Sequence, residues 1–483
     1  MNTSTGNEQA DVSKNTNNQV NTIVQLAERR IRLWHTPDKR PFATAEYGDG
    51  GVRNLDIRGR EFQYMLTEII LADLDSIPSS RLIKEAVERL AGKAIVLGDE
   101  FEAFARIAKI GDVIFIDLCD PQWRAIKIDE SGWEVISDPP VHFTRTSGMN
   151  PLPHPVRGGA ISEFRELLPG ISFDDWIKLQ GFLVGVFNPD GTQPMLVVSG
   201  RQGSGKSSTV AMVRDVIDPN QVSVRSMPKK IEEMFVATES SRLQVFDNVS
   251  YLTADQSDAL AQILSGGGLT KRKLYSDTEE IAITTKQPII LNGITDVVDR
   301  ADVDERALHI ELEVMDPTER RLDSELRDKF NEMAPRLLGS ILDAVSAALR
   351  NWNSVELDEL PRLAELAKFV TAGESELQME PGDFARVLKE QTNERSRTRA
   401  ELDPVIVAIR DHAFTIMESV FEGTFQELLE RIDEWLPGPR RSWTARKLSS
   451  AIKRVEADLT AIGIHLDRLG KYRNGRRIRL VHK

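Results

Sequence analysis

The chain has 483 residues, enough for two to four domains with separate cores. Its composition (40% hydrophobic, 28% charged, 6% aromatic) is that of a globular protein, and no apolar run approaches the roughly 18 residues that a membrane-spanning helix needs. Cys119 is the only cysteine, which excludes internal disulfides and zinc clusters, and a net charge of −13 argues against a surface that coats nucleic acid everywhere while leaving room for a local basic site.

Residues 1–20 are almost all Asn, Thr, Ser, Gln and charged, so the expectation is a disordered tail. The start also lacks the basic-then-apolar layout of a signal peptide, which makes the cytoplasm the expected location. From 21 to 155 the pattern predicts an α+β domain. Residues 60–74 and 79–92 show helical spacing, with Ser79 and Ser80 as caps, and short strands are expected at 42–47, 94–97, 104–110, 113–118, 125–128 and 133–136. Two acidic pairs, Asp73 with Asp75 and Asp117 with Asp120, resemble metal-binding carboxylates. They fall where helix ends and turns place ordinary acids, and that reading is preferred.

Residues 161–168 and 174–186 read as helices leading into the stretch Pro194–Thr209, PMLVVSGRQGSGKSST. A β-prone run ends at Gly200, and Gly203-Ser204-Gly205-Lys206-Ser207 opens the next helix. This is the G-x-x-x-x-G-K-[ST] phosphate loop in its required setting of strand, loop and helix N-terminus. Gly200, Gly203, Ser204, Gly205, Lys206, Ser207 and Ser208 are the expected ATP contacts. Lys206 would reach the β- and γ-phosphates, and Ser207 would hold Mg²⁺.

From 195 to 314 strands alternate with helices, which predicts a covered parallel sheet within a unit spanning 156–350. Leu243–Asn248, LQVFDN, is an apolar strand ending in an acid, so Asp247 is the expected second Mg²⁺ ligand. Leu260–Tyr275, LAQILSGGGLTKRKLY, sets three glycines before Lys271, Arg272 and Lys273. On charge alone this segment is either a solvated loop or a hairpin offered to a phosphate backbone. Gln287–Ile294 is another apolar strand, whose Asn292 would reach the γ-phosphate and the attacking water. Arg306, and behind it Arg300, are candidates for an arginine finger reaching a neighbouring subunit's nucleotide, against a reading as surface arginines paired with Asp302, Asp304 or Glu305.

In this order the motifs resemble superfamily 3 helicases of the AAA+ class, including the helicase halves of phage and plasmid primase-helicases and prophage ATP-binding proteins. The resemblance covers about residues 160–345. It implies an AAA+ ATPase domain with Lys206 and Ser207 as Walker A residues, Asp247 as the Walker B acid, Asn292 as sensor and Arg306 as finger. It places Lys271–Lys273 against single-stranded DNA in the channel of a homo-oligomeric ring, commonly a hexamer, which works with other replication proteins. One position departs from the pattern: Asn248 stands where many AAA+ enzymes carry a second acid. Glu239 and Asp258 are substitute bases, or Asp247 acts alone, or hydrolysis is slow.

Residues 351–403 read as a helical linker, and 404–483 as a winged-helix-like basic domain. Residues 438–483 hold 13 Lys or Arg against three Asp or Glu. A basic helix with Lys447, Lys453 and Arg454 precedes an Asn-Gly turn and two strands, so that helix would enter a duplex groove. Lys471, Arg473, Arg476 and Arg477 would contact phosphates, against a reading as a solvated basic tail or a protein-binding module. The leading expectation is an ATP-driven DNA helicase of a phage or mobile element. The alternatives are a DNA-binding switch or loader without unwinding, a regulator with a vestigial ATP site, and a monomeric kinase.

Overall fold

The computed structural model describes residues 5–46, 51–272, 280–294, 297–298, 300–316, 318, 321–377, 379–414, 419–439, 442–472 and 475–483. It divides into two compact units, Met1–Phe384 and Ala385–Lys483.

The first unit opens on a helix over Thr5–Glu28, where the composition to residue 20 predicts disorder. An apolar stripe explains the difference: Val20, Ile23, Val24 and Ala27, at helical spacing, are all buried. Arg89 also donates to Asn17 (2.5 Å) and Asn21 (2.6 Å), giving the polar turns a tertiary partner. This helix shares a core with the helices Arg60–Leu74 and Ser80–Leu97 and with a four-stranded sheet. The sheet order is Val52–Asp56, Pro41–Glu46, Ile31–His35, Asp99–Glu100. Ser79 caps Ser80–Leu97, accepting from the Leu82 N–H at 3.4 Å. Residues 94–97, expected as a strand, form the last turn of that helix, because Ala94 continues the buried face of Leu90 and Ala91.

A four-stranded antiparallel meander follows: Ile107–Ile110, Val113–Asp117, Ala125–Asp129 and Gly132–Ile136. It is pinned to the long helix Asp323–Asn351 by Trp133 Nε1 on Asp343 (2.8 Å) and Ser346 Oγ on the Asp129 carbonyl (2.7 Å). Three of the four carboxylates in the two acidic pairs are held by arginines. Arg145 binds both oxygens of Asp117 (2.6 and 2.9 Å), Arg124 holds Asp120 at 2.6 Å, and Arg30 holds Asp73 at 2.6 Å. Among the described residues no group of three or more His, Cys, Asp or Glu is placed to hold a metal ion.

The centre of this unit is a five-stranded parallel sheet, whose strands are numbered by themselves: β1 (Met195–Ser199), β2 (Arg225–Ser226), β3 (Gln244–Asp247), β4 (Ile289–Asn292) and β5 (Ala307–Glu311). Their order is β2-β3-β4-β1-β5. Met195 to Val198 and Ile289 to Leu291 are buried continuously, which is the mark of strands covered on both faces. The carboxyl ends of all five strands therefore share one edge, where open α/β sheets place their ligands. The helix Ala364–Gly373, in the stretch read as a linker, packs into this unit: Leu366 lies against Gly185, and Gly373 against the Ala344 carbonyl. Its stripe of Leu366, Ala367, Phe369 and Val370 is buried, which a free linker would leave in water.

In the second unit the helices Pro404–His412, Phe425–Ile432 and Ala445–Arg454 pack on a three-stranded antiparallel sheet. Its strand order is Val420–Thr424, Gly475–His482, Ile464–Tyr472. Thr424 and Glu427 form a reciprocal capping box at the start of the middle helix.

Candidate functional site

The glycine-rich loop joins β1 to the helix Lys206–Ile217. Gly200 has φ +144°, and a Cβ there would lie 2.4 Å from the Leu312 carbonyl oxygen, so no other residue fits. Gly203 and Gly205 are left-handed as well, at +85° and +81°. Leu312 N–H donates to the Ser199 carbonyl at 2.9 Å, tying the loop's base to the chain after β5. The helix begins at Gly205 with no side-chain cap, so its first N–H groups stay open to the concavity of the loop.

Lys206 folds back onto that loop, with Nζ donating to the carbonyls of Gly200 (2.7 Å) and Arg201 (2.9 Å). Burial pushes its ammonium below the ordinary lysine value, while the Asp247 carboxylate works in the opposite direction. The register of β4 against β1 pairs Val198 with Asn292, and that of β4 against β3 pairs Phe246 with Leu291. Asp247, Asn292 and the loop are thereby brought to the same edge. Asn292, 2% exposed, donates from Nδ2 to Asp247 Oδ1 and, at 3.3 Å, to Ser207 Oγ. One amide thus gathers the hydroxyl and the carboxylate that the sequence assigns to a metal ion. Both are hard oxygen donors of the kind that suits Mg²⁺.

Asn248 is exposed and left-handed (φ +55°), its N–H on Asp247 Oδ1 at 2.9 Å. Neither substitute acid stands free beside Asp247. Glu239 caps the helix Ile231–Thr238, ahead of the far end of β3, and Asp258 is ion-paired with Arg300 at 2.7 Å. Arg300 also holds Asp302 at 2.8 Å. Arg306 precedes β5 at the sheet edge away from the loop, about 16 Å of strand length from it. It is 7% exposed and donates from Nη1 to the Asp302 carbonyl. Burial lowers its pKa, with Arg362 adding to the effect. The chain's own site is therefore assembled without Arg306.

The segment after the three glycines is a hairpin of Gly268–Arg272 against Glu280–Thr284, which pairs Lys271 with Ile281 and Arg272 with Glu280. Lys273 lies outside the described residues. In the second unit, Thr444 caps the helix Ala445–Arg454 (3.2 Å from the Lys447 N–H). Leu448, Ala451 and Ile452 face the core, leaving Arg446, Lys447, Lys453 and Arg454 exposed on one continuous face. The following hairpin pairs Lys471 with Arg476, which is exposed, and Arg473 lies outside the described residues. Arg477 sits 3.5 Å from Glu422, so its charge is already partly matched.

Sequence reasoning missed the polar scaffold behind the loop. Asp218, directly after the loop helix, is fully buried and accepts from Arg106 and from the N–H groups of Arg242 and Leu243. Arg242, also buried, donates to the Lys286 carbonyl and to Gln193, and desolvation lowers its pKa to about 10. Nothing in the local pattern separates these arginines from solvated ones.

Residues 176–379 match the family described as the actinomycete integrative conjugative element replication protein, and residues 405–483 match the AICE RepA C-terminal domain. The first stretch holds the whole five-stranded sheet and its loop, and the second holds the basic helix and hairpin. No curated protein matches the chain. Among solved structures, "The A form apo structure of NrS-1 C terminal region-CTR" is 13% identical at a TM-score of 0.41, covering 94% of this chain and 97% of that one. A second structure of that region, "The apo structure of NrS-1 C terminal region (305-718)", is 12% identical at a TM-score of 0.36, covering 95% and 97%. Over both matched stretches the chain is similar to a replication protein of a mobile element.

Proposed function

We propose that this chain, similar to a mobile-element replication protein, is an oligomeric AAA+ ATPase that acts on DNA as a replicative helicase. The observation that carries the reading is the convergence of Ser207, Asp247 and Asn292 on the carboxyl edge of one parallel sheet, beside a loop only glycine can form. The backbone N–H groups of Gly203–Ser207 would cradle the triphosphate. Lys206 would exchange its two loop carbonyls for the β- and γ-phosphate oxygens, and Ser207 and Asp247 would hold Mg²⁺. When bound, the ion supplies charge neutralisation across the phosphates. Asn292 would orient the attacking water once its amide turns from Asp247 towards the γ-phosphate.

The hairpin carrying Lys271 and Arg272 supports contact with single-stranded DNA in a ring, commonly a hexamer. The helix and hairpin of the second unit support a winged-helix reading, with Arg446, Lys447, Lys453 and Arg454 on duplex phosphates. Arg306 is proposed as the finger for a neighbouring subunit, a role in which its side chain must leave the Asp302 carbonyl. The exposed Asn248 in the second-acid position favours one other reading, a nucleotide-dependent switch or loader that binds DNA without unwinding it.

The test is DNA-stimulated ATP hydrolysis and strand separation by the wild type, Lys206→Ala and Arg306→Ala. Hydrolysis and unwinding that vanish in both variants, and return when the two are mixed, support the shared-site motor. Hydrolysis without unwinding favours the switch, and no Lys206-dependent hydrolysis rejects the ATPase.

A further inference from the structure

A cavity of about 490 Å³ opens beside the glycine-rich loop. Ser204, Ser208 and Met212 line one wall, Leu168 a second, and Met315 and Arg321 a third. At about 100° per residue, Ser208, Thr209 and Met212 share a face of the loop helix that turns away from Lys206 and Ser207. The cavity therefore lies on the side opposite the Ser207–Asn292–Asp247 cluster. A nucleotide with its γ-phosphate at that cluster would have to run its α-phosphate, sugar and base towards the cavity.

Two further observations mark it as a ligand site. Ser204, 4% exposed, lines the cavity, and its buried Oγ has no hydrogen-bond partner among the described residues. Arg321 is exposed on the rim, and no hydrogen bond or ion pair engages its guanidinium among the described residues. The rim also carries Glu166 and Asp323, carboxylates suited to sugar hydroxyls. Beside the cavity, Leu312 N–H binds the Ser199 carbonyl at the base of the loop, and Glu313 N–H binds the Gly170 carbonyl, both at 2.9 Å. Arg300 and Arg306, by contrast, already bind oxygens of their own chain.

We propose that this cavity seats the base and sugar of the nucleotide and that Arg321, from the same chain, grips the α-phosphate. The proposal rests on the ATP reading above and adds to it an interaction remote from the bond that breaks. A charge-assisted hydrogen bond at a partly exposed site corresponds to about a tenfold change in affinity.

The experiment measures binding of ADP and of inorganic tripolyphosphate to the full chain, as wild type, Arg321→Ala, Arg321→Lys, Leu326→Trp and Lys206→Ala, together with kcat and KM for ATP. Leu326 lines the same cavity on a solvent-facing turn, so a tryptophan there fills the space without entering the core. Arg321→Ala should weaken ADP and tripolyphosphate alike, each about tenfold, because both place a phosphate in the α position, and should raise KM at unchanged kcat. Arg321→Lys should recover part of the loss, and Leu326→Trp, which fills the space for base and sugar, should weaken ADP while leaving tripolyphosphate, which has neither, unchanged. Unchanged ADP affinity in Arg321→Ala, or an equal loss of ADP and tripolyphosphate in Leu326→Trp, overturns the proposal. If Lys206→Ala abolishes both ligands while Arg321→Ala changes neither, the nucleotide site stands and this assignment alone fails. If the wild type binds neither ligand, the ATP reading falls and takes the assignment with it.

Discussion

Arg106 and Asp218 form an ion pair 2.8 Å long with both side chains completely buried. Asp218 follows the loop helix, and its second oxygen accepts the N–H groups of Arg242 (2.8 Å) and Leu243 (3.0 Å), just ahead of β3. One carboxylate thus sets the spacing between the helix that follows the glycine-rich loop and the strand that carries Asp247. Arg106 comes from the antiparallel meander and also binds the carbonyls of Asp117 (3.1 Å) and Asn150 (2.9 Å). The meander therefore holds the site's framework, although it contributes no group to the site.

Removing the guanidinium leaves an uncompensated buried carboxylate. Arg106→Ala should cost about 3–5 kcal/mol of stability, measured as a fall in the urea midpoint at an unchanged slope. A loss below about 1 kcal/mol would show that the pair does not hold the framework.

The loop yields a prediction of a different kind. Gly200→Ala drives a Cβ to 2.4 Å from a backbone oxygen in a φ region closed to alanine, so the loop or the chain after β5 must move. At Gly205 the added carbon meets only the flexible end of Met315, its Cε at 3.2 Å, and the cost is the left-handed conformation, about 1–2 kcal/mol. Titration with ATP should show binding abolished by Gly200→Ala and merely weakened by Gly205→Ala. Equal effects would mean that the close approach at Gly200 is not what the loop depends on.

The site was more legible in the sequence than its support. Gly200, Lys206, Asp247 and Asn292 announce themselves because loop and strand-end chemistry is local: a turn needs glycine, and a buried strand ends in a polar group at the sheet's carboxyl edge. Their meeting through the Asn292 amide depends on β4 lying between β1 and β3, an order that no single stretch encodes. Arg106, Arg242 and Asp218 were invisible because burial of a charge is decided by distant segments. The first helix was hidden by composition: its polar turns outweighed the short stripe from Val20 to Ala27. Residues 94–97 failed in the opposite direction, since a short apolar run fits a strand or the end of a helix equally well.

On the proposed ATPase reading, Asn292 should separate binding from chemistry. Its amide touches Asp247 and Ser207 but forms no part of the loop, so the loop should survive its removal. Asn292→Ala should lower ATP hydrolysis by about 10²-fold, in line with the loss of one aligned donor at developing charge, and leave ATP affinity within a few-fold. Comparison of kcat with equilibrium binding checks this. A variant that loses affinity as steeply as rate would make Asn292 a structural clamp on Asp247 instead.

The basic helix of the second unit can be tested by salt. Arg446, Lys447, Lys453 and Arg454 are exposed opposite Leu448, Ala451 and Ile452, so changing all four to Ala spares the core. Each phosphate left without its cation should reduce the slope of log affinity against log salt by about 0.9 on duplex DNA, a change of between three and four if all four side chains engage. Arg477→Ala should shift the slope far less, because Glu422 already lies 3.5 Å from that guanidinium. Fluorescence anisotropy over a range of salt concentrations reads both. A slope unmoved by the fourfold change, or moved as much by Arg477 alone as by one helix residue, would take duplex binding away from this helix face.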